Sequence, residues 1–136
     1  RAIVDDVLAN APTTVAALKL RAGWLIDEQD YSGAISTLRI ALTAAPKDTD
    51  LMTMLADAYE KAGTPELAGR SLADAVELTQ AGVKESLLYA QFLMRTGDER
   101  MATLTLTNAL QAHPDNAELL AYAREANIDL TPSALP

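Results

Sequence analysis

Alanine recurs in this chain at a fixed interval of 34 residues, and that interval restricts the folds open to it. Moving Ala56 by 34 in either direction lands on Ala22 and Ala90; Ala68 lands on Ala34 and Ala102, and Ala75 on Ala41 and Ala109. One match means little in an alanine-rich chain, but nine agreeing positions define a repeat. Larger residues keep the same step: Leu25, Tyr59 and Leu93, then Leu38, Leu72 and Leu106. Pro12 and Pro46 lie 34 apart, and Pro46 and Pro114 lie 68 apart, which is two periods.

The middle copy, Asp48 to Thr79, shows what is being repeated. Leu51, Met52, Leu55, Ala56 and Tyr59 have helical spacing, as do Leu67, Ala68, Leu72, Ala75 and Val76. Gly63-Thr64-Pro65 breaks the two runs. Gly63 supplies the left-handed conformation that ends a helix, Thr64 an N-cap, and Pro65 a favoured first-turn residue. Such a pair is too small to bury its own apolar faces. Two antiparallel helices approach closely only where bulk is missing, so a chain that repeats a helix pair must place small residues at the same sites each time.

A 34-residue helix–turn–helix unit resembles the tetratricopeptide repeat. The resemblance rests on the alanine ladder, Asp30-Tyr31, Gly63, Gly97-Asp98, and Pro46 and Pro114 closing their repeats. It runs from Pro12 to about Ile128 and departs from the family pattern at Arg21, where a large apolar residue is usual, and at Gln80, where proline is usual. The resemblance implies an all-α fold, a right-handed α-α superhelix or solenoid. Residues 1–128 are assigned to it: a partial repeat 1–11, helix pairs at 12–45, 46–79 and 80–113, and a capping helix at 114–128. Residues 129–136 read as a tail or linker, since Thr131-Pro132 stops any helix. Arg124 stands where the ladder has alanine, and a guanidinium there would be costly if buried, so no partner helix is expected over it. At the other end Ile3, Val4, Val7 and Leu8 cannot all face one neighbour, which leaves apolar surface open. The expectation is a piece of a larger, bacterial-type repeat protein with further repeats before Arg1.

Composition excludes several functions. The chain of 136 residues has no cysteine, so it has neither disulfides nor thiolate metal sites. A net charge of −8 opposes nucleic-acid binding, which needs a basic face. No apolar run approaches the roughly 20 residues of a membrane helix, so no membrane insertion is expected; a soluble chain of the cytoplasm or the periplasm fits. His113, the one histidine, stands without a second ligand, so neither a metal nor another cofactor is expected. Gly63 to Ser71 imitates a phosphate loop poorly, with one residue too many and arginine for lysine. The acidic clusters Asp5-Asp6, Asp48-Thr49-Asp50 and Asp98-Glu99 serve helix starts. Trp24 reads as a packing residue, and no catalytic constellation is present.

The resemblance implies binding. In the family the first helices of successive repeats line a concave groove, and the matching positions here include Lys19, Ile26, Asp57, Glu60, Lys84, Leu87, Gln91, Met94 and Arg95. Apolar groups rimmed by charge suit a peptide. Repeats of this kind that hold the acidic tail of heat-shock chaperones use a lysine, asparagine, asparagine, lysine and arginine clamp. The matching residues here are Lys19, Gly23, Met54, Lys84 and Leu88, so that partner is not expected. The leading expectation is a non-catalytic scaffold that binds a peptide segment of another protein. The alternative is an assembly element that self-associates, as a homo-oligomer, or packs on other repeats of its parent.

Overall fold

The computed structural model describes residues 1–130, and among them all regular structure is helical. The helices are α1 (Ala2–Asn10), α2 (Val15–Asp27), α3 (Tyr31–Ala44), α4 (Thr49–Lys61), α5 (Pro65–Leu78), α6 (Val83–Arg95), α7 (Glu99–Ala112) and α8 (Ala117–Glu125). Of the expected tail, Asp129 and Leu130 have no regular structure, and 131–136 lie outside the described residues. The chain forms two compact units, residues 1–71 and 72–136, with the division inside α5. In the first unit α2 packs against α1, α3 and α4, and α3 packs against α4. In the second, α6, α7 and α8 pack on one another.

The ladder is the core. All nine alanines are between 0% and 3% exposed. Leu38, Leu72 and Leu106 are buried beside them, as are Tyr59 and Leu93, whereas Leu25 is only half-buried. Val4 and Leu8 turn inward, toward the side on which α1 meets α2, and leave Ile3 79% and Val7 37% exposed. Open apolar surface is therefore present at this end, and the structure decides that Ile3 and Val7, not Val4 and Leu8, carry it. Arg124 is exposed, while Leu119 and Ala123 of the same helix are buried.

The hairpin turns repeat at the level of single hydrogen bonds. Gln29, Gly63 and Gly97, each 34 apart, are left-handed with φ of 64°, 86° and 89°. The next residue donates its N–H to the carbonyl five back: Asp30 to Leu25, Thr64 to Tyr59 and Asp98 to Leu93, at 2.8, 2.9 and 2.8 Å. This is the Schellman closure, which satisfies carbonyls left orphaned at a helix end. Glycine fills the slot twice without strain; Gln29 fills it at a cost of about 1–2 kcal/mol. In α8 the same closure comes one turn earlier, at Asn127, with Ile128 donating to Ala123 at 2.8 Å. The helix therefore ends at Glu125.

Caps follow the repeat with variations. Asp30 accepts from the Gly33 N–H and Asp98 from the Met101 N–H. Thr64, in the same slot, sends its hydroxyl back to the Tyr59 carbonyl at 2.9 Å, fastening the end of α4. Asp48 and Asn116 cap α4 and α8 through side-chain oxygens. Thr14 precedes α2 without a side-chain cap, its hydroxyl donating to the Ala11 carbonyl instead.

The departure at Gln80 has a physical reason. Gln80 and Ala81 are both left-handed, at φ 53° and 62°, a conformation closed to proline. Elsewhere the link between repeats uses a backbone bond, from Thr14 to Ala11, Asp48 to Ala45 and Asn116 to His113. Here the Gly82 N–H donates to the Thr79 hydroxyl oxygen.

Replacing Ala68 with leucine is expected to overpack the ladder and cost about 1–3 kcal/mol in urea unfolding, since Ala68 is 0% exposed. Unchanged stability would show that the site has room for a larger side chain.

Candidate peptide-binding faces

In the first unit, the face expected to bind starts with a residue already engaged. Lys19 of α2 places its ammonium 2.8 Å from Asp48 and 3.9 Å from Asp50. Asp48 also accepts the N–H groups of Asp50 and Leu51 as the cap of α4, at 3.0 and 3.3 Å. Partial burial pushes the Asp48 carboxyl upward. The Lys19 hydrogen bond, the Leu51 N–H, the Lys19 charge and the Asp50 N–H together outweigh it, and the group is held below its ordinary value. Lys19 therefore ties α2 to the start of α4.

Further along, Asp57 accepts from Lys61 one turn on, at 3.0 Å, with both side chains 47% exposed. That hydrogen bond raises the Lys61 ammonium above its ordinary value against a desolvation that lowers it, and the charges of Asp57, Tyr31 and Asp27 add to the rise. The ends of α2 and α4 thus form one acidic neighbourhood. Ile26 and Glu60 are half-buried on these two helices.

In the second unit, α6 carries Leu87, Gln91 and Met94 half-buried, with Lys84 and Arg95 exposed at its two ends. These positions lie at steps of three, four, three and one, so that Lys84, Leu87, Gln91 and Met94 follow one side of the helix. The neighbouring first helix here is α8. Burial raises the Tyr122 hydroxyl, Arg95 pulls it down, Glu125 pushes it up, and the net direction is upward. Tyr122 therefore lies within electrostatic reach of Arg95 at the end of α6. The expected strip did not include Tyr122, which stands 34 residues beyond Leu88. Burial and the charge of Asp98 raise the Tyr89 hydroxyl on α6.

Other candidates resolve locally. His113 is the half-buried C-cap residue of α7, with its N–H on the Ala109 carbonyl. Among the described residues no group of three or more histidine or acidic side chains could hold a metal, and no helix is long and apolar enough to cross a membrane. Ser86 of α6 is fully buried with its hydroxyl unpartnered.

Paired helices on a strict period, closed by repeating turns, define a helix-pair repeat protein. Residues 25–85 match the family model described as Tetratricopeptide repeat, so this stretch is tetratricopeptide-repeat sequence. Solved structures share the fold. MamA, residues 41 to the end, from Desulfovibrio magneticus has a TM-score of 0.72 at 22% identity, covering 85% of this chain and 66% of that one. The first repeat domain of Spaghetti (RPAP3), bound to an HSP90 peptide, has 0.67 at 20% identity, covering 83% and 92%. YrrB, a repeat protein with an unusual peptide-binding site, has 0.67 at 22% identity, covering 97% and 71%. This chain thus spans just under two thirds of the MamA structure's length. No curated protein matches it in sequence.

The Lys19–Asp48 tie carries a pH signature. A carboxyl with a depressed folded-state pKa adds stability that is complete above its unfolded value and is lost as pH falls through the folded one. Lys19→Ala is expected to cost about 0.2–1 kcal/mol at neutral pH. Its deficit should shrink in urea melts as pH drops below about 4. A deficit independent of pH would show that packing of the lysine stem, rather than the pair, is being measured.

Proposed function

We propose that this chain is a non-catalytic protein–protein interaction module that holds a peptide segment of a partner on the faces of its repeats' first helices. The observation that carries the reading is the face of α6. Leu87, Gln91 and Met94 stay partly open to solvent between the charges of Lys84 and Arg95. An apolar strip bounded by charge suits an extended or helical peptide. Peptide binding by the structural neighbours Spaghetti and YrrB supports the same class of function. The acidic balance of the chain favours a protein partner over nucleic acid.

The partner differs from an acidic chaperone tail. Of the five clamp positions, Lys19 is held by Asp48, and Gly23, Met54 and Leu88 offer no side-chain hydrogen-bond donor to a carboxylate. The ends of α2 and α4 bring Asp27 and Asp57 into the neighbourhood of Lys61, which is bound to Asp57. That face suits a segment carrying basic residues.

A second reading, assembly with another copy or with further repeats, rests on Ile3 and Val7, which leave apolar surface on α1. Light scattering separates the two, since a monodisperse monomer at high concentration disfavours self-association. For the peptide reading, ligands selected from a displayed peptide library are expected to bind the wild-type chain. They should bind the Lys84→Glu, Arg95→Glu double variant at least tenfold more weakly, with helical circular dichroism unchanged. Equal binding would move the site off α6.

A further inference from the structure

The side of α2 turned away from Lys19 carries a separate arrangement. Arg21 and Glu28 sit about half a turn around the helix from Lys19, at 100° per residue. Together with Trp24, Leu25, and Arg1 and Asp5 from the α1 segment, they line a pocket of about 150 Å³. The guanidinium carbon of Arg1 lies 5.2 Å from the centre of the Trp24 ring, and the same guanidinium pairs with Glu28. Trp24 and Glu28 are one turn apart, so one face of α2 presents an aromatic plane and a carboxylate to a single planar cation.

We propose that Trp24, Glu28 and Asp5 form a receptor for the arginine side chain of a partner polypeptide, and that Arg1 occupies it in cis. Arg1 shows which chemistry fits: a flat cation that stacks on the indole while its N–H groups meet a carboxylate. The side chains of Arg1 and Glu28 remain 52% and 49% exposed, so the occupant can exchange with solvent. With Arg1 withdrawn, the carboxylates of Asp5 and Glu28 outnumber the one remaining lining cation, Arg21, and the pocket keeps a preference for positive charge. The site is independent of the α6 face, and neither reading depends on the other.

Trp24 is the only tryptophan in the sequence, so its fluorescence reports this site alone. The full chain and its Arg1→Ala variant are titrated with N-acetyl-argininamide, with N-acetyl-leucinamide as control. Arg1→Ala is expected to show a saturable change in emission with an affinity of roughly tens of millimolar, as suits one partly exposed stacked ion pair. The full chain should need at least fivefold more ligand, because Arg1 competes. Adding Glu28→Gln to Arg1→Ala should weaken binding several-fold while leaving helical circular dichroism unchanged. No saturable response in Arg1→Ala, an equal response to the leucine compound, or indifference to Glu28→Gln would overturn the proposal and leave Arg1 as a pin between α1 and α2.

Discussion

The close approach of paired helices at alanine is the interaction on which the rest of the structure depends. Nine alanines recur along the helix pairs, and all are sealed from solvent. A methyl group lets two backbones come near enough for the flanking leucines to interdigitate. Without that approach Leu38 and Leu106 would have nothing to pack against, and neither would be fully buried. The short helices here, nine to fourteen residues, owe their stability mainly to such packing rather than to intrinsic propensity.

Turns set the direction in which each helix leaves its partner, and they repeat with equal strictness. The left-handed residue and the closing N–H recur at Gln29, Gly63 and Gly97 whatever the side chain. Where the side-chain chemistry changes, the hydrogen bond is rerouted rather than lost. Thr64 turns its hydroxyl toward the preceding helix, and Thr79 accepts the N–H of Gly82 where other links use a backbone carbonyl. The backbone must satisfy its polar groups at every helix end, so local substitutions alter the route and keep the geometry.

Several charges on the first-helix faces are engaged within the protein. Lys19 is held by Asp48, and Lys61 is paired within its own helix by Asp57. Lys84 and Arg95 lie at the two ends of the partly open strip on α6. A groove position read from a repeat pattern says where a side chain sits, but its availability to a ligand depends on what stands opposite. Pairs of this exposure are worth little individually, so their role is to set orientation and charge preference rather than bulk stability.

The sequence by itself determined the helix pairs, their period, the small-residue core, the helix start at Asp98 and the presence of open apolar surface near the start of α1, though not that Ile3 and Val7 carry it. All of these follow from local spacing, or from spacing repeated at 34 residues, and periodicity is visible in one dimension. Only the tertiary structure decided that Lys19 is spoken for, that Tyr122 comes within reach of the Arg95 charge, and that Arg1 lies over Trp24 against Glu28. Each of those joins residues at least 23 positions apart, across a distance that packing fixes. It also decided that Gln80 and Ala81 turn left-handed where proline was the family habit, because the Thr79 hydroxyl takes up the Gly82 N–H in a link that no residue preference encodes.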